Sequence, residues 1–445
     1  MLFHTWEFFF FLAIVLAAFY LSPQVARRWI LLAASYYFYG AWNPRFLPLL
    51  WTLTIIDYLA AIWIVRYQGR RRRLALLFSI AANLGFLGFF KYHNFFASNI
   101  AQLLAIPAAS LTFDVILPLG ISFHTFQSIS YVVDVYRGEQ QPIRDPVDYA
   151  LFIAFFPQLV AGPIVRAHEF FTNFYNWAKP DTSQVQRGMF EVLSGLTKKM
   201  ALADQFAVLS DSYFGNPLAH PGALAAWSGT LAFAMQIFFD FSGYTDMAIG
   251  TARLLGFHFP ENFRRPYFSA SITEFWRRWH ISLSRWLRDY LYIPLGGNRH
   301  GVLLTYRNLM LTMLLGGLWH GASWNFVVWG GYHGALLSVE RRFGIASSTR
   351  LWRVPITFLL VAIGWVFFRA ATFADASFVL QQMVSVPGGD WRIPLWLILL
   401  ASFGLLLPLR PTRERWLMPY ALLLLLCLEL FGVTDLTVPF VYFQF

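Results

Sequence analysis

Thirteen apolar runs, almost free of charge, cover most of this 445-residue chain. They lie near 8–22, 29–42, 46–65, 74–90, 111–133, 149–165, 188–209, 224–250, 302–318, 322–338, 354–370, 391–409 and 416–433. A helix needs roughly 20 apolar residues to cross a bilayer, so the runs predict an all-α, polytopic integral membrane protein. Several runs are short or cut by Gly and Pro, as in ILPLGIS (116–122) and FFPQLVAGP (155–163). Broken backbone is tolerated at membrane depth only where protein or water satisfies it. The pattern therefore implies roughly 11–13 membrane-embedded helices, some of them re-entrant or half-crossing.

Composition and charge agree with this. Charged residues make up 13% of the chain, about half the share of a soluble domain, and a hydrophobic content of 58% excludes disorder. The formal charge of +11 does not indicate nucleic acid, because the basic residues sit between apolar runs. Arg27 and Arg28 follow the first run; Arg66, Arg70, Arg71, Arg72 and Arg73 follow the third. Both clusters predict cytoplasmic loops and an external N-terminus, with membrane lipids as the surrounding partner. The first run lacks a basic leader and reads as a retained span. Cys427 is the sole cysteine, which excludes an intrachain disulfide and any Cys-based metal site; no metal is expected.

The polar stretch 253–300 carries TEFWRRWHISLSRWLRDYLY (273–292). Phe275, Trp276, Trp279, Leu283, Trp286, Leu287 and Tyr290 recur at helical spacing, while Arg277, Arg278, His280, Ser284, Arg285 and Arg288 fall on the other side. This predicts one amphipathic helix suited to a membrane interface or the wall of a polar cavity. Its arginines fit anionic lipid headgroups and substrate phosphates equally well.

Phosphate-loop, dinucleotide, zinc-peptidase and serine-hydrolase signatures are missing. A few polar residues inside apolar sequence remain. His320 stands between Trp319 and Gly321, with Gly316 and Gly317 one turn back. An ionisable group at membrane depth is costly and so points to function, and the glycines are read as leaving room for a substrate beside the imidazole. Imidazole suits proton transfer from a hydroxyl near neutrality. His333 fits a core hydrogen bond as well as a binding role. His124, beside Thr125, Gln127 and Ser128, is a candidate for lining a polar cavity. Asp240 and Asp246, in FFDFSGYTDMAIG, read as structural groups around a Ser-Gly break.

Five blocks taken in order, ILPLGISFHTFQSISYVVDVYRG, FFPQLVAGPI, FDFSGYTDMAIG, ITEFWRRWHISLSRWLRDYLYIPLGGNR and NLMLTMLLGGLWHGASWNFVVWGGYHG, resemble the membrane-bound O-acyltransferase family, and within it the bacterial polysaccharide branch. The likeness runs from about residue 30 to 370; the part from about 375 to 445 matches only as hydrophobic helices. The resemblance implies one integral-membrane acyltransferase domain, a ring of helices around a thin waist where a cytoplasmic tunnel meets an external funnel. It makes His320 the catalytic residue of the Trp-His-Gly block and His280, 40 positions upstream, its partner. The implied reaction takes acetyl groups from a cytoplasmic donor, acetyl-CoA, across the bacterial inner membrane for O-acetylation of an exported polysaccharide such as alginate. A periplasmic acetyltransferase is the implied partner. Members of the family usually carry Tyr where this chain has His124, so the resemblance passes no role to it.

The residues and the resemblance meet in one chemistry. Acetyl transfer to a hydroxyl needs a base, for which His320 is the candidate, either directly or as a transient acyl carrier. Trp319, Ser323, Asn325 and His280 are candidates for polar contacts to the reacting groups, and Arg277, Arg278, Arg285 and Arg288 for the phosphates of coenzyme A. The competing readings are a transporter or flippase built on broken helices, and a non-catalytic scaffold for secretion.

Overall fold

In the computed structural model, residues 1–160, 162–345, 350–385, 388, 392–406, 416–433 and 440 are described; the outer parts of the run at 391–409 and the last residues of the chain lie outside them. The described residues form twenty α-helices and no strand. The structure divides into two compact units, residues 1–189 with 248–260 and residues 190–247 with 261–445.

The first unit holds α1 (Trp6–Leu21), α2 (Gln24–Gly40), α3 (Leu47–Arg66), α4 (Gly69–Leu87), α5 (His93–Leu103), α6 (Ile121–Arg137), α7 (Pro146–Ala154), α8 (Phe156–Leu159) and α9 (Ala167–Tyr175). Helices α3, α4 and α6 pack on one another, and α2 packs on α7. The two Gly/Pro-cut runs do break. The run at 111–133 is irregular up to Gly120 and helical only from Ile121. The run at 149–165 splits at Phe155 into α7 and α8. Gly120 has φ +70°, and a Cβ there would meet the Leu159 carbonyl at 2.4 Å, so the two breaks pack against each other through a position only glycine fills. Arg28 is tied to Asp145 at 2.5 Å and Asp148 at 3.3 Å.

Helices α10 (Thr182–Thr197) and α12 (Ala223–Leu254) each contribute residues to both units; α11 (Asp204–Phe214) belongs to the second. So do α13 (Ile272–Arg278), α14 (Ile281–Leu287), α15 (Val302–His320), α16 (Trp324–Arg342), α17 (Val354–Arg369), α18 (Phe373–Met383), α19 (Leu395–Leu406) and α20 (Leu417–Phe431). Among the described residues, five helical stretches are long and apolar enough to cross a bilayer: Pro44–Arg66, Gly69–Leu103, Ala223–Leu254, Val302–His320 and Leu351–Arg369. Three shorter apolar helices accompany them. Large apolar side chains such as Phe10, Ile14, Phe78 and Leu426 stay exposed on these helices, as a hydrocarbon solvent allows.

No Ser-Gly break interrupts α12 at 242–243, against expectation; the helix runs unbroken for 32 residues. Gly243 instead lets α10 approach: a Cβ on Gly195 would lie 2.4 Å from the Gly243 carbonyl. Asp240 and Asp246 have structural partners, as their reading anticipated, but the partners are ammonium groups. Lys199, fully buried in the π-helical turn Lys198–Ala203, is 2.7 Å from Asp204 and 3.1 Å from Asp240, and Lys198 is 2.5 Å from Asp246. Charges at this depth persist only when paired.

Candidate active site

The single amphipathic helix expected over 273–292 does not form. The chain is helical to Arg278, breaks at Trp279 and His280, and resumes at Ile281. At the break His280 has φ +42°, the left-handed region that costs a residue bearing a Cβ of order 1–3 kcal/mol. Residues 262–264 hold it there. The Asn262 carbonyl accepts from the Ile281 N–H at 2.9 Å, and its Oδ1 accepts from the Ser282 N–H and hydroxyl at 3.1 and 2.9 Å. The Arg264 N–H donates to the Arg278 carbonyl at 2.9 Å. At the far end of α13, the Glu340 carboxylate from α16 accepts from the N–H groups of Ile272 and Thr273 at 2.6 and 2.9 Å. His280 therefore leaves the basic face assigned to it and is fully buried.

His320 is the last residue of α15 and also buried. Its imidazole sits in a ring cage, with centroids 5.0 Å from Trp319, 5.1 Å from Trp329 and 5.2 Å from Phe368. The Trp319 indole also reaches His280 at 6.1 Å, and Phe241 of α12 covers the other side of His280 at 4.7 Å. One indole ring thus bridges the two imidazoles.

Gly316 and Gly317 do not provide the open space expected of them. A Cβ on Gly317 would fall 2.2 Å from the Phe326 carbonyl, and one on Gly330 would fall 2.2 Å from that of Met313. The glycines seat α15 against α16 at backbone contact. Gly316 faces the Leu287 side-chain tip of α14. The smallness around His320 therefore positions helices.

The remaining candidates separate clearly. Arg277, Arg285 and Arg288 line one cavity of about 500 Å³ together with Trp276, Ile281 and Met313, within the size range of small-molecule sites. Arg278 does not join them, because Glu274 binds it at 2.5 Å. Asp289 pairs with Arg288 at 2.6 Å, whereas among the described residues neither Arg277 nor Arg285 has an acidic partner. The cavity wall leads toward His320 through aromatic rings, Trp276 to Trp329 at 5.7 Å and then Trp329 to His320.

Asn325 donates to the Ala370 carbonyl at 2.8 Å, tying the start of α16 to the end of α17. Ser323 caps α16 without a side-chain cap bond and is half-buried. His333 is fully buried 4.9 Å from Trp329 and 5.3 Å from Trp276, and neither ring nitrogen has a hydrogen-bond partner among the described residues. His124 lies in the first unit, buried on α6. Trp329, Phe241, Asn262, Glu340 and Phe368 help build the site and were not anticipated. Only Trp329 had a local signal, as an aromatic residue between two histidines of one block.

Two imidazoles around an indole, beside a basic cavity, can take a proton from a hydroxyl and donate N–H groups to a developing oxyanion. Comparison with known proteins points the same way. The sequence model of the membrane-bound O-acyltransferase family matches residues 142–351, which include both histidines. The chain is 45% identical over 397 residues to the probable alginate O-acetylase AlgI of Pseudomonas putida, covering 86% of this chain and 80% of that one. It is 40% identical over 407 residues to a peptidoglycan O-acetyltransferase of Helicobacter pylori, with 84% and 76% covered. A teichoic acid D-alanyltransferase of Bacillus subtilis is 28% identical over 278 residues, with 57% and 69% covered. These likenesses displace the transporter and scaffold readings: the chain belongs to the membrane-bound O-acyltransferase family and is a multi-pass membrane acyltransferase.

Proposed function

We propose that this acyltransferase takes acetyl groups from acetyl-CoA at the cytoplasmic face of a bacterial inner membrane and passes them across for O-acetylation of an exported polysaccharide, alginate or a polymer of similar chemistry. The observation that carries the proposal is the pair of buried imidazoles bridged by Trp319 next to the cavity of Arg277 and Arg285. Two relatives whose names specify O-acetylation of alginate and peptidoglycan support the class of acceptor.

In the proposed reaction Arg277 and Arg285 bind donor phosphates as charge-assisted hydrogen-bond donors. The neutral imidazole of His320 accepts the proton of the attacking hydroxyl as its oxygen bonds to the thioester carbon. The carbonyl oxygen gains negative charge, which N–H groups of His280 and the Trp319 indole stabilise. The carbon–sulfur bond then breaks, and the proton held by His320 passes to the departing thiolate. Products are the acetyl ester and free coenzyme A. A periplasmic acetyltransferase that takes the acetyl group from this ester and transfers it to the polymer hydroxyls is the proposed partner.

The test is reconstitution of the purified protein in proteoliposomes with labelled acetyl-CoA, polysaccharide acceptor and the periplasmic partner. The parent should transfer label, and His320→Ala should lose about 10²–10⁴-fold in rate while its unfolding temperature stays near that of the parent. Equal transfer by a folded His320→Ala protein would overturn the assignment.

A further inference from the structure

In the first unit a cavity of about 430 Å³ opens where α1, α2, α7 and α9 meet, a size within the range of small-molecule sites. Arg27 and Arg28 stand at the start of α2, just beyond the apolar helix α1, and so set the cavity at the level where a bilayer gives way to water. Its walls are aromatic: Phe19, Phe174, Tyr175, Trp177 and Phe257. The Trp177 indole N–H donates to the Leu255 carbonyl at 2.8 Å, and the Arg27 guanidinium lies 4.3 Å from the centre of the same ring. Two opposite charges line this space. Arg27 donates from Nε to the Ser22 carbonyl at 3.3 Å, but among the described residues its terminal nitrogens have no hydrogen-bond partner and no acid pairs with it. Asp148 accepts from Arg28 at 3.3 Å and from the Tyr175 hydroxyl at 3.2 Å, both long contacts, while Asp145 holds the same Arg28 nitrogen at 2.5 Å.

A carboxylate accepts about four hydrogen bonds, so Asp148 keeps acceptor capacity, and Arg27 keeps donors. Arg27 and Arg28 are balanced by Asp145 and Asp148, which makes the surroundings close to neutral and favours a ligand that carries both signs. A purely anionic group would satisfy Arg27 but meet repulsion from Asp148. A quaternary ammonium has no N–H to give to the carboxylate; a primary ammonium has three. The mouth is apolar. Val25, which lines the cavity, is exposed, and Trp29, Ala33 and Tyr37 continue from it at every fourth residue as one exposed stripe along α2. An acyl chain lying on that stripe would start from the cavity and run toward the membrane interior. We propose that this cavity binds a phospholipid with a zwitterionic headgroup ending in a primary ammonium, of the phosphatidylethanolamine class. Its phosphate sits on Arg27, its ammonium on Asp148 and its chains along the α2 stripe, so that the lipid joins α1, α2, α7 and α9. The site does not depend on the acyl-transfer chemistry.

The test is titration of the delipidated full-length protein in detergent, read by native mass spectrometry. The probes are phosphatidylethanolamine, phosphatidylglycerol and phosphatidylcholine with identical acyl chains, and glycerophosphoethanolamine, which has none. The parent should bind phosphatidylethanolamine about tenfold more tightly than either other lipid, and should not bind glycerophosphoethanolamine at the same concentrations. Arg27→Gln should weaken phosphatidylethanolamine binding about tenfold. Asp148→Asn keeps an acceptor for Tyr175 and should bring phosphatidylethanolamine down to the level of phosphatidylcholine. Arg45→Gln, at an exposed arginine outside the cavity, should match the parent. Unfolding temperatures in lipid-free detergent identify which variants fold, and one folded cavity variant suffices because each removes the partner of a different end of the zwitterion. Equal affinity for the three lipids, preference for phosphatidylglycerol, or parental binding by a folded Arg27→Gln protein would overturn the proposal. So would tight binding of glycerophosphoethanolamine, which would assign the cavity to a soluble phosphate compound.

Discussion

Replacing Gly317 by alanine separates two meanings of the small residues near His320. If they leave space for substrate, one methyl group would crowd a cavity and be partly tolerated. The structure puts that methyl 2.2 Å from the Phe326 carbonyl oxygen and 3.1 Å from the Gly330 Cα, both backbone atoms of α16. Ordinary contact needs more than 3 Å, so α15 and α16 must part by about 1 Å. Overpacking of this kind costs about 1–3 kcal/mol of stability. Its larger effect falls on His320, one turn further along α15, because a misplacement of about 1 Å at a reacting group is worth about 100-fold in rate. The neighbouring Gly316 is the matched control. Its methyl would meet only the Leu287 Cδ1 at 3.1 Å, the tip of a side chain that can turn aside. Acetyl transfer in proteoliposomes and thermal unfolding in detergent should therefore show Gly317→Ala about 100-fold slower and less stable. Gly316→Ala should lie within a factor of about three of the parent. Parental activity in Gly317→Ala, or equal damage from both, would refute the packing argument.

Two further outcomes follow from the charged groups. Arg277→Ala and Arg285→Ala should each raise the KM for acetyl-CoA about 10-fold and weaken its salt dependence with little change in kcat. Arg278→Ala, whose guanidinium is bound by Glu274, should leave KM near parental in the same transfer assay. Lys199→Met should destabilise the second unit by about 3–5 kcal/mol, since it strands the Asp204 and Asp240 carboxylates in an apolar interior. Denaturant unfolding followed by tryptophan fluorescence reads that loss directly.

Hydropathy made the long helices legible because lipid leaves the backbone few alternatives to helix. The breaks at Gly120 and Phe155 were also visible, as Gly and Pro inside apolar runs. The short helices α5, α9, α11 and α18 were not. Each is 9–11 residues long and mixes polar with apolar positions, so its contribution disappears in an average over a membrane-spanning window. The pairing of Lys198 and Lys199 was not legible for a related reason. Read one residue at a time they resemble loop charge, yet Asp204, Asp240 and Asp246 cancel them inside the helices. Only Asp204 is near enough in sequence to have suggested the pairing.

At the candidate site the division is sharper. His320 stood out because a lone ionisable group in an apolar run is itself anomalous. His280 was placed on the wrong face because a helical wheel carries its 100° step through residues 279 and 280, where the chain in fact turns left-handed. Nothing within 273–292 signals that turn. Its cause is Asn262, about twenty positions upstream, whose carbonyl and side chain take the Ile281 and Ser282 donors that a continuous helix would have satisfied internally. The clamp replaces helical hydrogen bonds with equivalent ones and so offsets the strain of φ +42°. In exchange it rotates one imidazole off the basic face and buries it against Trp319 and Phe241. Periodicity cannot encode such a reversal, since it arises from a contact between segments and not from the order of residues within one.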